Sequence, residues 1–224
     1  MAYAFIPLDT NVLPDEPVRI LRQPWATTMP AISGNTNDED LLTIAPANPG
    51  TDVATYRRVL STSFGPDALA VEKTYPATAY PSPVKVLSRI YSDHNWICPT
   101  AEANRAYAGT APVWTYLFAD PEAPPLEGPL PPELRPASTH GSDAAYLFWT
   151  PDDDFGLTPD QRTLGDRMVD YWVQFAHTGN PNDGGLPTWP RTTTAAVPAL
   201  HLAPDNLGPV DLLALHHCQF WRTL

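Results

Sequence analysis

Basic side chains are scarce in this sequence. Thirteen Lys and Arg stand against 25 Asp and Glu, which leaves a formal charge of −12. A field of that sign repels phosphate backbones and anionic headgroups, and no basic cluster overrides it, so nucleic acid and an anionic membrane surface are excluded as partners. Long apolar runs are missing too. Nothing approaches the roughly 18 uninterrupted apolar residues of a membrane span, and the first residues lack the basic-then-apolar pattern of a secretory signal; the expectation is a soluble, untargeted chain. Cysteine is nearly absent: Cys98 and Cys218 lie far apart without metal-ligand spacing, and two buried thiols are the plain reading. Glycine is sparse at 12 residues, and no Gly-x-Ser-x-Gly turn occurs anywhere.

What the chain has instead is proline, 28 residues in 224, beside an ordinary hydrophobic content of 43%. The length suffices for a buried core in one domain or two, and the prolines predict many ordered loops rather than low complexity. The opening, residues 6–17, sets turn formers between isolated apolar residues and starts no regular element. Residues 18–22 fit a short helical turn and 29–33 a short buried strand. Residues 56–60 and 84–91 read as amphipathic helices, 100–107 as another helix, and 112–118 as a central strand by their β-branched and aromatic content. The proline-rich stretch 121–136 is loop. Thr158-Pro159-Asp160-Gln161 reads as a capping box with proline at the first helical position. Leu164, Met168, Tyr171, Trp172 and Phe175 then recur at helical spacing up to Gly179, a natural stop. Residues 198–202 read as a late strand and 210–220 as a closing helix.

Two stretches carry candidate chemistry. In Ala137-Ser138-Thr139-His140-Gly141-Ser142-Asp143, a histidine followed by glycine comes after a strand and a long loop, the setting of a base delivered onto a sheet edge. The plain alternative is a solvated loop histidine. In Gly34-Asn35-Thr36-Asn37-Asp38-Glu39-Asp40, three acids follow a strand, and alone they read more simply as a solvated turn or a helix start. His94, His177, His201, His216 and His217 fall in scaffold segments and are read as non-catalytic.

The first stretch resembles the His-Gly-x-Asp/Glu motif of the type-B carboxylesterases, the family of cholinesterases and of bacterial and fungal esterase/lipases. The second resembles that family's Gly-x-x-x-Asp-Glu-Gly segment, with Asp40 in place of the last glycine. The opening is similar to Asp-Gly-x-x-Leu-Pro, with Thr10 where the glycine stands. Ser92-Asp93-His94-Asn95-Trp96-Ile97-Cys98-Pro99 is similar to the cholinesterase-like segment in which an Asp precedes Cys-Pro at a helix start. Cys218-Gln219-Phe220-Trp221 is similar to the cysteine, aromatic and tryptophan near the C-terminus of those enzymes. Trp172-x-x-Phe175-Ala176-x-x-Gly179-x-Pro181-Asn182, followed by Trp189-Pro190, matches a further family signature. It is the most specific of these motifs, and it is structural rather than chemical.

The resemblance implies an α/β fold: residues 1–224 as the C-terminal portion of an α/β-hydrolase, loop-rich, with helices flanking an incomplete central sheet. It implies that Glu39 is the acid and His140 the base of a Ser–Glu–His triad. It also implies a disulfide between Cys98 and Cys218, a stabilisation of roughly 4–5 kcal/mol in the chain-entropy model. Such a bond places the complete protein in a secreted or extracytoplasmic compartment. In this fold the nucleophile precedes the acid on a Gly-x-Ser-x-Gly turn. Ser61-Thr62-Ser63-Phe64-Gly65 lacks the first glycine and follows the acid. The nucleophile and the oxyanion hole are therefore expected in a missing N-terminal half, and acid and base alone are expected to be inactive. The implied substrate of the complete enzyme is a small-molecule or lipid ester, the missing half is the implied partner, and no metal or organic cofactor is implied. Two other readings stand beside this one: a cholinesterase-like interaction module without catalysis, which has no chemical need for Glu39 or His140, and a decayed fragment that does not fold alone.

Overall fold

A computed structural model describes residues 10, 11, 13–26, 28–126, 128–153, 155–182 and 185–224; much of the opening segment, including residues 6–9, lies outside the described residues. Among them, four strands form one sheet in the order β1 (Ala31–Thr36), β2 (Val113–Phe118), β3 (Pro198–Ala203) and β4 (Asn206–Asp211). The first three run parallel, and β4 returns antiparallel to β3. The helices are α1 (Pro17–Leu21), α2 (Leu41–Ala47), α3 (Val53–Phe64), α4 (Ala68–Thr74), α5 (Pro83–Ser92), α6 (Cys98–Tyr107), α7 (Ala144–Phe148), α8 (Pro159–Thr178), α9 (Leu212–Leu215) and α10 (Cys218–Trp221). A π-helical turn, Asp93–Ile97, splices α5 into α6. No helix among the described residues is long and apolar enough to cross a membrane.

The strand period of two sorts β2 onto both faces of the sheet. Trp114 and Phe118 join the cluster of Tyr146, Leu164, Met168, Tyr171 and Trp189 under α8. Leu117 points the other way, into the cluster of Ile97, Ala101 and Leu212 beside α6. Thr115, also on that side, is satisfied by Asn104 Nδ2 at 3.0 Å and by the Thr192 hydroxyl at 2.8 Å. A third cluster, Tyr56, Leu60, Val71, Tyr75, Val86, Leu87 and Ile90, holds α3, α4 and α5 together away from the sheet. Helix α8 begins with both halves of its capping box formed and ends at Gly179, whose φ of 72° suits a residue without Cβ.

Three expectations shift on contact with the structure. The first strand begins at Ala31 rather than at residue 29, and Met29 is 70% exposed, because Pro30 cannot donate to the ladder. Helix α6 begins at Cys98, before the expected residue 100, because the π-turn runs straight into it. The closing segment is not one helix over 210–220: residues up to Asp211 belong to β4, and α9 and α10 are separated at His217, which has a φ of 52°. Pro209 and the hairpin hold the first part extended. His216, bound to Asp93, and Cys218, bound to Cys98, hold the break.

Candidate active site

The acid loop leaves the C-terminal end of β1, the edge at which α/β sheets place their ligands. Asn37 N–H continues the ladder to Phe118 O at 2.9 Å, after which the chain turns at Asp38-Glu39-Asp40 into α2. Glu39 folds back over the strand it has left. Its Oε1 accepts from Asn35 Nδ2 at 3.1 Å and from Thr36 N–H at 2.8 Å, and the residue is 6% exposed. Asp40, at the family's glycine position, has φ −93° and ψ 4°, which any residue adopts. Its N–H donates to Ser92 Oγ at 3.0 Å and its Oδ2 accepts from Asn95 Nδ2 at 3.0 Å, so the buried carboxylate is satisfied without a glycine.

The base loop reaches the same edge from β2. Asp120 anchors it: its backbone carbonyl accepts from Ser138 Oγ at 2.6 Å, and its carboxylate accepts from Tyr146 Oη and from Gln161 Nε2 of α8. Ser138 N–H donates to Asp38 Oδ2 at 3.0 Å while Asp38 N–H donates to Ser138 O at 2.9 Å, so the two loops are stitched together next to the residues of interest. Gly141 takes a φ of 76° just after His140 and turns the chain into α7. Asp143 accepts from Tyr116 Oη at 2.9 Å. Burial, reinforced by that carboxylate, pushes the Tyr116 phenol well above its ordinary range, so it remains a protonated donor.

These loops bring Glu39 and His140 together across 101 residues of sequence: His140 Nδ1 lies 2.5 Å from Glu39 Oε2. The carboxylate is buried and the imidazole is 61% exposed. A carboxylate on Nδ1 holds the proton there and leaves Nε2 as an acceptor; Nε2 makes no hydrogen bond among the described residues. Trp96, carried into place by the π-turn, walls the imidazole with ring centroids 5.3 Å apart. Chemically, the arrangement can take a proton at Nε2 and stabilise the resulting imidazolium. Ser63 does not serve it: this side chain sits on α3 and meets Tyr91 Oη at 2.5 Å. Among the described residues no three His, Cys, Asp or Glu side chains gather as a metal site requires.

Cys98 and Cys218 are bonded to each other and buried, as the resemblance implied. His216 is fully buried against Asp93 at 2.7 Å, and His94 packs on Phe64 and Trp221; neither approaches Glu39 through any hydrogen bond. Sequence reasoning missed Asn35, Asp38, Lys85 and Trp96. One signal was available for Asn35, which lies four residues from Glu39. The stretch from Ser92 to Trp96 draws notice in sequence for the cysteine that follows it, yet it supplies Ser92, Asn95 and Trp96 to this edge.

The sequence pattern described as the Carboxylesterase family matches residues 1–221. The chain belongs to the carboxylesterase family. Carboxylesterase 1D of Rattus norvegicus is 28% identical over 209 residues, which is 85% of this chain and 36% of that protein. Acetylcholinesterase of Bungarus fasciatus is 33% identical over 142 residues, 62% of this chain and 23% of that protein. A solved structure of a thermophylic PNB esterase superposes with a TM-score of 0.69 at 22% identity, covering 93% of this chain and 41% of its own. That likeness establishes the fold as part of the α/β-hydrolase esterase architecture. The chain spans only between about a quarter and two fifths of the length of these relatives.

Proposed function

We propose that this chain supplies the acid and the base of a Ser–Glu–His triad in a serine carboxylic-ester hydrolase, with the serine and the oxyanion donors provided by sequence outside these 224 residues. The pairing of buried Glu39 with exposed His140 at 2.5 Å carries the reading. A carboxylate held by Asn35 and Thr36 has no purely structural use for a solvent-facing imidazole. In the reaction, Nε2 of His140 takes the hydroxyl proton as the serine oxygen bonds to the ester carbonyl carbon. The same proton goes to the departing alkoxide, which leaves as the alcohol. Water then repeats the sequence on the acyl-serine and releases the acid. Glu39 keeps the proton on Nδ1 and stabilises the imidazolium in both halves.

The residues before Glu39 contain no Gly-x-Ser-x-Gly turn, so the isolated chain is expected to leave a p-nitrophenyl ester at the background rate. A longer protein containing this sequence is expected to hydrolyse it in a His140-dependent way. His140-dependent turnover by the isolated chain would show that the nucleophile lies within it, and a longer protein indifferent to His140→Gln would remove the triad reading.

A further inference from the structure

Lys85 is 8% exposed in the first turn of α5, an unusual degree of burial for an ammonium group. Burying such a charge is costly unless all three donors find acceptors. Here they do. Lys85 Nζ donates to Pro136 O at 2.8 Å and to Leu134 O at 3.3 Å, and lies 3.5 Å from Asp38 Oδ1. The two carbonyls belong to the chain that leads into His140. Asp38 is the residue before Glu39, and its other oxygen accepts from Ser138 N–H, two residues before His140. One turn further along α5, Arg89 Nη1 donates to Asn37 Oδ1 at 2.8 Å. Two cations of one helix thus grip both loops at positions adjoining the acid–base pair.

We infer that Lys85 is a positioning residue for that pair, setting the register of Glu39 against His140 by tying both loops to α5. The inference rests on the triad reading above. Asp38 and Ser138 join the two loops to each other; Lys85 ties that joint to α5. The imidazole is 61% exposed, so core packing does not orient it, and its hydrogen bond and ring contact among the described residues are with Glu39 and Trp96. A buried ion pair adds little to stability over an apolar replacement, and its better-attested use is to specify one arrangement among several. An active-site pair that must stay within about half an ångström of its productive geometry is a place where that use matters.

Nitrogen NMR of the imidazole tests this directly. In the 15N-labelled chain at alkaline pH, the nitrogen shifts of His140 report which ring nitrogen carries the proton. Glu39 pairing predicts the Nδ1–H form in the parent chain. Lys85→Met removes all three donors, and Lys85→Gln stops short of the carbonyls; in both, His140 is expected to pass to the Nε2–H form of a free loop histidine, while the signals of His177 and His201 stay in place. Lys85→Arg is expected to keep the Nδ1–H form, because a cavity of about 240 Å3 lined by Lys85, Arg89 and Asp38 accommodates the larger cation. Retention of the Nδ1–H form in a folded Met or Gln variant would overturn the role given to Lys85 and leave the triad reading intact. An Nε2–H form in the parent chain would overturn both. If the Met variant does not fold, the Gln and Arg variants decide the matter between them.

Discussion

On the α8 side of the sheet, Trp114, Phe118, Tyr146, Met168, Tyr171 and Trp189 exclude water by apolar packing, with few hydrogen bonds among them. At the strand ends, Glu39 and His140 are held by polar side chains and backbone groups: Asn35 donates to Glu39 itself, and Asp38, Lys85, Ser138 and Asp120 are each hydrogen-bonded or ion-paired to another segment. Packing tolerates exchange between apolar residues of like volume. A polar network is oriented by particular atoms, and losing one partner strands the other. The first region makes the fold; the second aims two side chains.

If that division is real, substitutions in the two regions have opposite signatures. The largest expected effect is kinetic: Glu39→Gln in the complete enzyme is expected to lower ester turnover roughly 10⁴-fold, as removal of the orienting carboxylate does in other triads, with the urea midpoint little changed. A large loss of stability together with activity would mean that the carboxylate serves the scaffold. Next comes Trp189→Ala. The indole is 1% exposed and its Nε1 donates to Thr115 O at 2.7 Å, so about 3–5 kcal/mol of stability is expected to go, measured by urea denaturation. While the protein remains folded, the His140 proton is expected to stay on Nδ1; its movement would break the comparison by showing that packing aims the site.

The smallest effect is in pH dependence. Burial depresses the His216 imidazole below its usual range, against the opposing hydrogen bond to Asp93, so the folded chain keeps this residue neutral. The unfolded chain protonates it near its ordinary value of 6.5. Stability from this group is therefore complete above that pH and is lost as pH falls through it toward the depressed folded value, since the unfolded state binds the extra proton. His216→Gln is expected to flatten the dependence of thermal midpoint on pH over about 7.5 to 5.5. An unchanged slope would assign the loss to other groups.

The apolar region is the more legible in sequence, for a physical reason. Period and capping are local, so Thr158 to Gly179 announces its own helix and its own ends. Glu39 and His140 emerge only through family motifs, because the contact that matters joins residues 101 apart and neither loop has a period. Lys85 is invisible in sequence for a related reason: on an amphipathic helix a lysine reads as solvent-facing, and only the return of the proline-rich loop over α5 buries it. The closing segment departs from its helical pattern because a hairpin and a disulfide, both non-local, override the local preference.

The central claim, that these residues serve a serine nucleophile, is tested most directly by treating a native extract with a fluorophosphonate probe and recovering proteins that react with an antibody to this chain. A labelled species well above 24.5 kDa, or a labelled protein that co-purifies with the chain, is the predicted result. Recovery of an unlabelled 24.5 kDa product without a labelled companion would contradict it.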